Sequence, residues 1–344
     1  MSEVAERAGV AMSSVSRVLS DHPDVSDDMR ARVMAAVEEL GYKPNLLAQS
    51  LRRRETMSVG FIVGDIGNPL LAQIAKGAES TLREAGYSML LTNSDGDPDL
   101  DAAHVRLLEQ RRADGLIVSL AREGHEATLS ALRGLDIPVV VIDRSVPADL
   151  RASAVLSDHR SGVAAAGGRL LDLGHTRIGL VVGQPLRPSR ERQRGLADAF
   201  AERGLPQTFT IAEGTLSEEH GRAGTRALLD VPEPPTAIIA GGNQILIGTL
   251  RELAARGLRV GEDISVVSCD DIPLTELHAP PIAVILRDNA LLGSTAAELL
   301  LRRIREDDEP GEVVLPTTYV HRPSAAAPNG ARAEQASAEG AVGP

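Results

Sequence analysis

From residue 58 onward the chain alternates between short, almost wholly apolar runs and longer amphipathic stretches. VGFIVGD (59–65), SMLLTN (88–93), DGLIVSL (114–120) and VVVID (139–143) are the kind of run that a strand buried on both faces of a parallel sheet presents. Helical stretches separate them at 68–87, 99–112 and 124–135. A second series follows: RIGLVVG (177–183), a helix over 190–204, FTIAEG (209–214), a helix over 218–229, TAIIAGG (236–242), a helix over 245–257 and ISVVSCDD (264–271). Residues 283–286, 291–305 and 313–315 supply a return strand, a helix and a further strand. Strands alternating with helices of this length predict an α/β fold, two doubly wound parallel-sheet lobes built alike.

The first 56 residues have a different period. Ala5, Ala8, Val15 and Val18 recur at helical spacing, and Gly9 stands where the chain must reverse, so two short helices meet around a tight turn. Met12, Ser13, Ser14 and Arg17 then face outward from the second helix. That is the arrangement of a helix-turn-helix, although an ordinary helical hairpin of a globular core has the same pattern. A third helix starts at Ser26, a good N-cap, with Asp27 and Asp28 at the positive end of its dipole. Met29, Val33, Val37 and Leu40 line its apolar face and Gly41 closes it. Asn45, after Pro44, can cap a further short helix carrying Leu46, Leu47, Ala48 and Leu51, too short to hold alone. Beyond Pro323 the Ala-, Gly- and Glu-rich tail reads as disordered.

Composition narrows the function. Across 344 residues there is no Trp and only three Tyr and three Phe, so the core is aliphatic and a ligand gripped by aromatic stacking has few residues to hold it. Cys269 is alone and excludes an intramolecular disulfide. The N-terminus has no apolar signal core and no stretch reaches membrane-spanning length, so a cytoplasmic protein with no membrane partner is expected. The net charge of −12 is uneven. Residues 1–56 carry eight basic against nine acidic side chains and the remainder 28 against 39. The acidic remainder repels DNA, which leaves the nearly neutral head, with its Arg52–Arg54 cluster, as the surface able to meet it.

Open α/β sheets bind ligands beyond the carboxyl ends of their strands. Those ends offer Asp65, Asn68, Ser94, Ser119, Asp143, Arg144, Gln184, Ser189, Arg190, Arg192, Gly242, Asn243 and Asp270. Asp271 reads as a structural residue at a helix start. No nucleophile–base constellation is present, and GDIG (64–67) lacks the spacing of a dinucleotide-binding loop, so no enzyme, cofactor or metal is expected.

The order of parts, with VAERAGVAMSSVSRVL, VSDDMRARVMAAVEELGYKPN, AQSLRRR, VGFIVGDIGNPLLAQIAKGAE, DLGHTRIGLVVG and ISVVSCDDIP, resembles the LacI/GalR family of transcriptional repressors over nearly the whole chain to Pro323. The resemblance implies a helix-turn-helix head (1–44), a hinge helix and linker (45–56), and a periplasmic-binding-protein-like core. The core's first lobe spans 57–156 with 286–316, its second 157–285 with 317–323, and residues 324–344 form a tail. It implies a homodimer on a palindromic double-stranded DNA operator, released or tightened by a small-molecule effector. Met12, Ser13, Ser14, Arg17, Asn45, Leu51 and Arg52 are then the DNA-contacting set. Arg17 is suited to reading guanine bidentately and Leu51 to wedging open a base step from the minor groove. Asn68, Asp143, Arg190, Arg192, Asn243 and Asp270 are the effector-binding set. Two carboxylates and an arginine suit vicinal hydroxyls, so a sugar or polyol leads, and Arg144 and Arg190 would admit a sugar acid. A sugar-binding protein of the periplasmic type with no DNA role is the competing reading.

The chain departs from the family pattern in four places. It begins inside the first helix, as though the start lay upstream of Met1. Ala11 replaces a capping Ser, NPLL (68–71) replaces an aromatic-bearing segment, and GGNQ (241–244) replaces an NDQ-like run. The tail has no leucine heptad, so an appended tetramerisation helix is not expected.

Overall fold

The structure, a computed structural model, describes residues 1–19, 22–42, 56–306 and 309–329. Asn45, Leu51 and Arg52, and with them the expected hinge helix, lie outside the described residues. The chain divides into two units, Met1–Ser58 and Val59–Pro344.

The first unit contains α1 (Ser2–Ala8), α2 (Met12–Leu19) and α3 (Asp27–Glu39). Val4, Ala5, Ala8, Val15, Val18, Val33 and Ala36 form its core. Gly9 closes α1 with φ of 65°, a left-handed conformation that lets the chain turn sharply into α2. Ser26 Oγ accepts from the Met29 amide and caps α3 as expected. Leu40, expected on the core face, is instead largely exposed. It is the C-cap of α3, and the left-handed Gly41 swings Tyr42 back so that its amide donates to Val37 O, filling the position expected of Leu40. Arg7 ties α1 to α3 through a two-pronged contact with Glu39.

The second unit runs β1 (Ser58–Val63), α4 (Pro69–Glu84), β2 (Ser88–Asn93), α5 (Pro98–Gln110), β3 (Gly115–Val118), α6 (Glu126–Arg133), β4 (Val139–Ile142) and β5 (Ala152–Ser157). It continues through α7 (His159–Asp172), β6 (Ile178–Val182), α8 (Arg187–Glu202), β7 (Phe209–Glu213), α9 (Glu218–Leu229), β8 (Ala237–Ala240), α10 (Asn243–Ala255), β9 (Ser265–Ser268) and α11 (Pro273–Leu277). It closes with β10 (Ala283–Leu286), α12 (Asn289–Glu306), β11 (Glu312–Leu315) and β12 (Thr318–Val320). Two six-stranded sheets result, ordered β11-β5-β4-β3-β1-β2 and β12-β10-β9-β8-β6-β7. Their inner pairs are parallel, while β12 returns antiparallel to β10. The expected pair of parallel-sheet lobes is therefore present.

Each sheet is a lobe, and the chain passes between them at three places: after β5, after β10 and between β11 and β12. At the contact between α4 and α12, as at others, the backbones touch. A Cβ on Gly293 of α12 would run into the carbonyl of Ile74 on α4, and one on Gly77 into Ala290 O, so only glycine permits that approach.

Three expectations need correction. The segment SMLLTN was expected to be a buried strand but is the sheet edge, with Leu90 and Leu91 exposed. Strand β5 and helix α7 carry no long apolar run, because Ala, Ser and Gly fill their packed positions, and so neither was anticipated. The tail does not loosen at Pro323. Ser324 Oγ donates to Val266 O and accepts from the Ala283 amide, Ala325 is buried in the core of the second lobe, and His175 Nε2 meets Ala326 O at 2.7 Å.

Candidate functional site

The carboxyl ends of both sheets face a cavity of about 490 Å³ between the lobes. The first lobe contributes Asp65 and Asn68 after β1, Ser119 after β3, and Asp143 and Arg144 after β4. The second contributes Gln184, Ser189 and Arg192 after β6, Gly242 and Gln244 after β8, and Asp270 after β9. Leu70, Leu71, Ile74, Leu186 and Leu216 form apolar wall, and no Phe, Tyr or Trp lines the cavity. Arg287 and His159, absent from the sequence-derived set, also line it.

Arg287 organises the floor. It leaves the end of β10 at the second crossing, and its Nη1 lies 2.8 Å from Asp143 Oδ2 while its Nε lies 3.1 Å from Asp270 Oδ1. One guanidinium thus joins a carboxylate from each lobe, all three side chains being buried or nearly so. Asp143 holds a left-handed backbone (φ 49°), strained for a residue with a side chain. Its carboxylate also accepts from the Ser157 amide at 2.7 Å and Ser157 Oγ at 3.1 Å, and His159 Nε2 stands 3.4 Å away. Burial alone would raise this carboxyl. His159, Arg287 and the Ser157 amide together outweigh burial and hold it well below the usual carboxylate range. Burial pushes the His159 imidazole down to about 4, so the ring is neutral at pH 7. Cys269, next to Asp270 but inside the core of the second lobe, has its thiol pushed up to about 11 by burial and serves as packing.

The lobes also meet directly across the cleft. Asn68 Oδ1 caps α4 through the Leu70 amide and accepts from Asn243 Nδ2 at 3.1 Å, while Asp65 Oδ2 accepts from Gln244 Nε2 at 3.1 Å. Asp270 Oδ2 accepts from the Asn243 amide at 2.9 Å and so caps α10, whose own N-cap residue is Gly242.

Of the expected effector set, Asn68, Asp143, Arg192 and Asp270 line the cavity, whereas Arg190 and Asn243 do not. Residues two apart on a helix lie about 200° around its axis, so α8 cannot turn both Arg190 and Arg192 toward one cavity. Arg192 is buried, with Nη1 on Gly241 O at 2.8 Å and Nε without a hydrogen-bond partner among the described residues. Arg190 instead reaches Glu123 and Ser145 of the first lobe. Asn243 is buried, its amide nitrogen committed to Asn68. Asp271, read as structural, pairs with Arg322 and Thr275 away from the cavity.

Arg287 was legible in principle, since the strand-end rule applied to AVIL (283–286) points at it. His159 was hidden because β5 and α7 were. In the first unit, α2 buries Val15 and Val18 and turns Met12, Ser13 and Arg17 outward, with Ser14 partly covered. Among the described residues no helix is long and apolar enough to cross a membrane.

A helical unit with an exposed polar recognition face, together with a two-lobed cleft at paired strand ends, defines a ligand-responsive DNA-binding regulator. Comparison with known proteins agrees. Residues 1–45 match the family described as bacterial regulatory proteins, lacI family, and residues 168–325 match a periplasmic binding protein-like domain. The ribose operon repressor of Escherichia coli (strain K12) is 33% identical over 291 residues, covering 81% of this chain and 87% of the relative. The structure of the Lac repressor dimer bound to operator and the anti-inducer ONPF is similar with a TM-score of 0.83 at 28% identity, over 94% of this chain and 98% of that one. The CelR–cellobiose complex is similar with a TM-score of 0.71 at 30% identity, over 94% and 98%. The chain belongs to the lacI family of bacterial regulatory proteins.

Proposed function

We propose that this regulator is a repressor that binds a palindromic operator as a homodimer and changes its grip when a sugar or polyol enters the interlobe cavity. The observation that carries the reading is the cavity itself, whose size is ordinary for small-molecule sites and whose floor is a charged network shared by both lobes. A hydroxyl-rich ligand suits it, because donors and acceptors converge on it and, among the described residues, no Phe, Tyr or Trp lines it to stack a flat base. Relatives support the same class, one being a ribose operon repressor and one being seen with cellobiose.

Within the cavity the roles divide. Asp143 already accepts from Ser157 and Arg287, so its part is to hold Arg287 rather than to meet a ligand hydroxyl. Of the expected set, Arg192, with its Nε unpartnered among the described residues, Asp270, which accepts one bond on each oxygen where Asp143 accepts three in all, and Asn68 remain as the polar groups facing the ligand. On the DNA side, Arg17 reads a guanine, and Met12, Ser13 and Ser14 give contact and shape. Asn45, Leu51 and Arg52 follow in the hinge, Leu51 as the minor-groove wedge. The lacI-family head at residues 1–45 weighs against a sugar-binding protein with no DNA role.

Footprinting on the DNA upstream of its own coding sequence, with and without a panel of sugars, polyols and sugar acids, tests this directly. The expected result is protection of a palindrome, altered by one ligand class. No protection at any salt concentration would overturn the repressor reading.

A further inference from the structure

Glu123 lies in the turn between β3 and α6, outside the cavity lining, yet its carboxylate is nearly buried at 13% exposure. What buries it is the opposite lobe. Oε1 accepts from the Arg187 amide at 2.9 Å and from the Ser145 amide at 3.0 Å, and Oε2 accepts from Arg190 Nη2 at 2.7 Å. Arg190 Nη2 also donates to Ser145 Oγ at 3.0 Å. Glu123 and Ser145 belong to the first lobe, Arg187 and Arg190 to the first turn of α8 in the second.

Helix α8 needs such a partner. Its N-cap residue is Leu186, which has no side-chain oxygen and makes no side-chain cap bond. The first amides of a helix are otherwise unsatisfied, and its N-terminal end favours negative charge. Glu123 supplies both an acceptor for the Arg187 amide and that charge, from across the cleft. The same turn of α8 places Leu186, Pro188 and Ser189 against the cavity, and Arg192 follows one turn on. Ser145, held by the same carboxylate, stands two residues after Asp143. One side chain therefore fixes the β3 and β4 loops of one lobe to the α8 helix of the other.

We propose that Glu123 is a positioning residue for the effector cavity: it caps α8 in trans, so that the lobes' closed position and the placement of Arg192 are set together. This rests on the effector reading above. Loss of the cap lowers effector affinity without removing any group that touches the effector.

The test uses the full chain with Glu123→Gln, Glu123→Ala and Arg190→Met. Calorimetric titration with ribose, cellobiose and the other footprinting sugars should show affinity falling about tenfold for Glu123→Gln, the loss of one charge-assisted contact, and further for Glu123→Ala. Adding Arg190→Met to Glu123→Gln should cost little more, because both act through one bridge. Hydrogen exchange at the Arg187 amide, measured without any sugar, should quicken in Glu123→Ala. Affinity within twofold of wild type for Glu123→Gln, or an unchanged Arg187 exchange rate in Glu123→Ala, overturns the proposal. If the wild type binds no sugar of the panel while Arg187 exchange does quicken, the effector reading falls, and the positioning role with it, although the cap itself stands.

Discussion

Replacing Arg287 with Met tests how the cleft floor is held. In the wild type, Nη1 is 2.8 Å from Asp143 Oδ2 and Nε 3.1 Å from Asp270 Oδ1, and the two carboxylates are 7% and 3% exposed. Methionine keeps much of the apolar stem and removes the cation, leaving two buried carboxylates with only neutral neighbours at pH 7, Ser157 and His159 on one and the Asn243 amide on the other. Breaking a buried pair by deleting one partner costs about 3–5 kcal/mol. The unfolding entropy is about 2.1 cal/mol/K per residue, so a core of roughly 270 residues loses about 5–9 °C of melting temperature. The loss should shrink on acidification, because His159 still stands beside Asp143 and, freed of the Arg287 charge, can take up a proton that offsets the buried carboxylate. Urea unfolding at pH 7 and pH 5, with Asp143→Asn and the double variant alongside, measures this. The double variant should be more stable than the sum of the singles implies. A cost under 1 kcal/mol for Arg287→Met, equal at both pH values, would show that the network is not what holds the floor.

His159 makes a second, narrower claim. The unfolded chain takes up a proton near pH 6.5 and the folded chain only near 4, so wild-type stability falls as pH drops through that window, by up to about 1.4 kcal/mol per pH unit. His159→Gln should remove that slope, and urea midpoints at pH 7, 6 and 5 that still parallel the wild type would refute the assignment. Truncation after Pro323 removes the Ser324 bonds to Val266 and Ala283, the buried Ala325 methyl and the Ala326 carbonyl that His175 and Ser265 engage. At about 1 kcal/mol for each bond lost, the second lobe should weaken by about 3 kcal/mol or more.

The sequence was most readable where one physical demand dominated. Val139–Ile142 and Ile178–Val182 had to be apolar throughout because helices cover both faces of each sheet, and both are buried end to end. Ser26 and Gly41 marked helix ends because capping and left-handed backbone each select few residue types. Legibility failed where contacts between distant segments decide the outcome. Strand β5 is built largely from Ala and Ser, packed between α12 and the neighbouring strands, and no local period records that. Ser324 looks like the start of a polar tail until Val266 and Ala283 are seen to need its hydroxyl. Arg190 and Arg192 are indistinguishable as a string, and only helical phase sends one to the cavity and the other to Glu123.

The position of Arg287 also bears on how a ligand shifts this protein. It is attached to one of the three crossings, while Asp143 is fixed to the first lobe and Asp270 to the second. A rotation that separates the lobes cannot keep both ion pairs, since one short guanidinium must follow two diverging carboxylates. The other crossings are pinned close by: His159 faces Asp143 just after the first, and Thr317 Oγ1 at the third donates to Asp158 O at 2.7 Å. Opening therefore exchanges one buried ion pair for solvent contact, and a ligand changes the balance only by the difference in its contacts with the open and closed arrangements. A hydroxyl-rich molecule that touches Asp270 and Arg192 of the second lobe together with Asn68 of the first spans the moving joint, and binds the closed arrangement better for that reason. One confined to either lobe binds both arrangements alike and signals nothing, however tightly it is held.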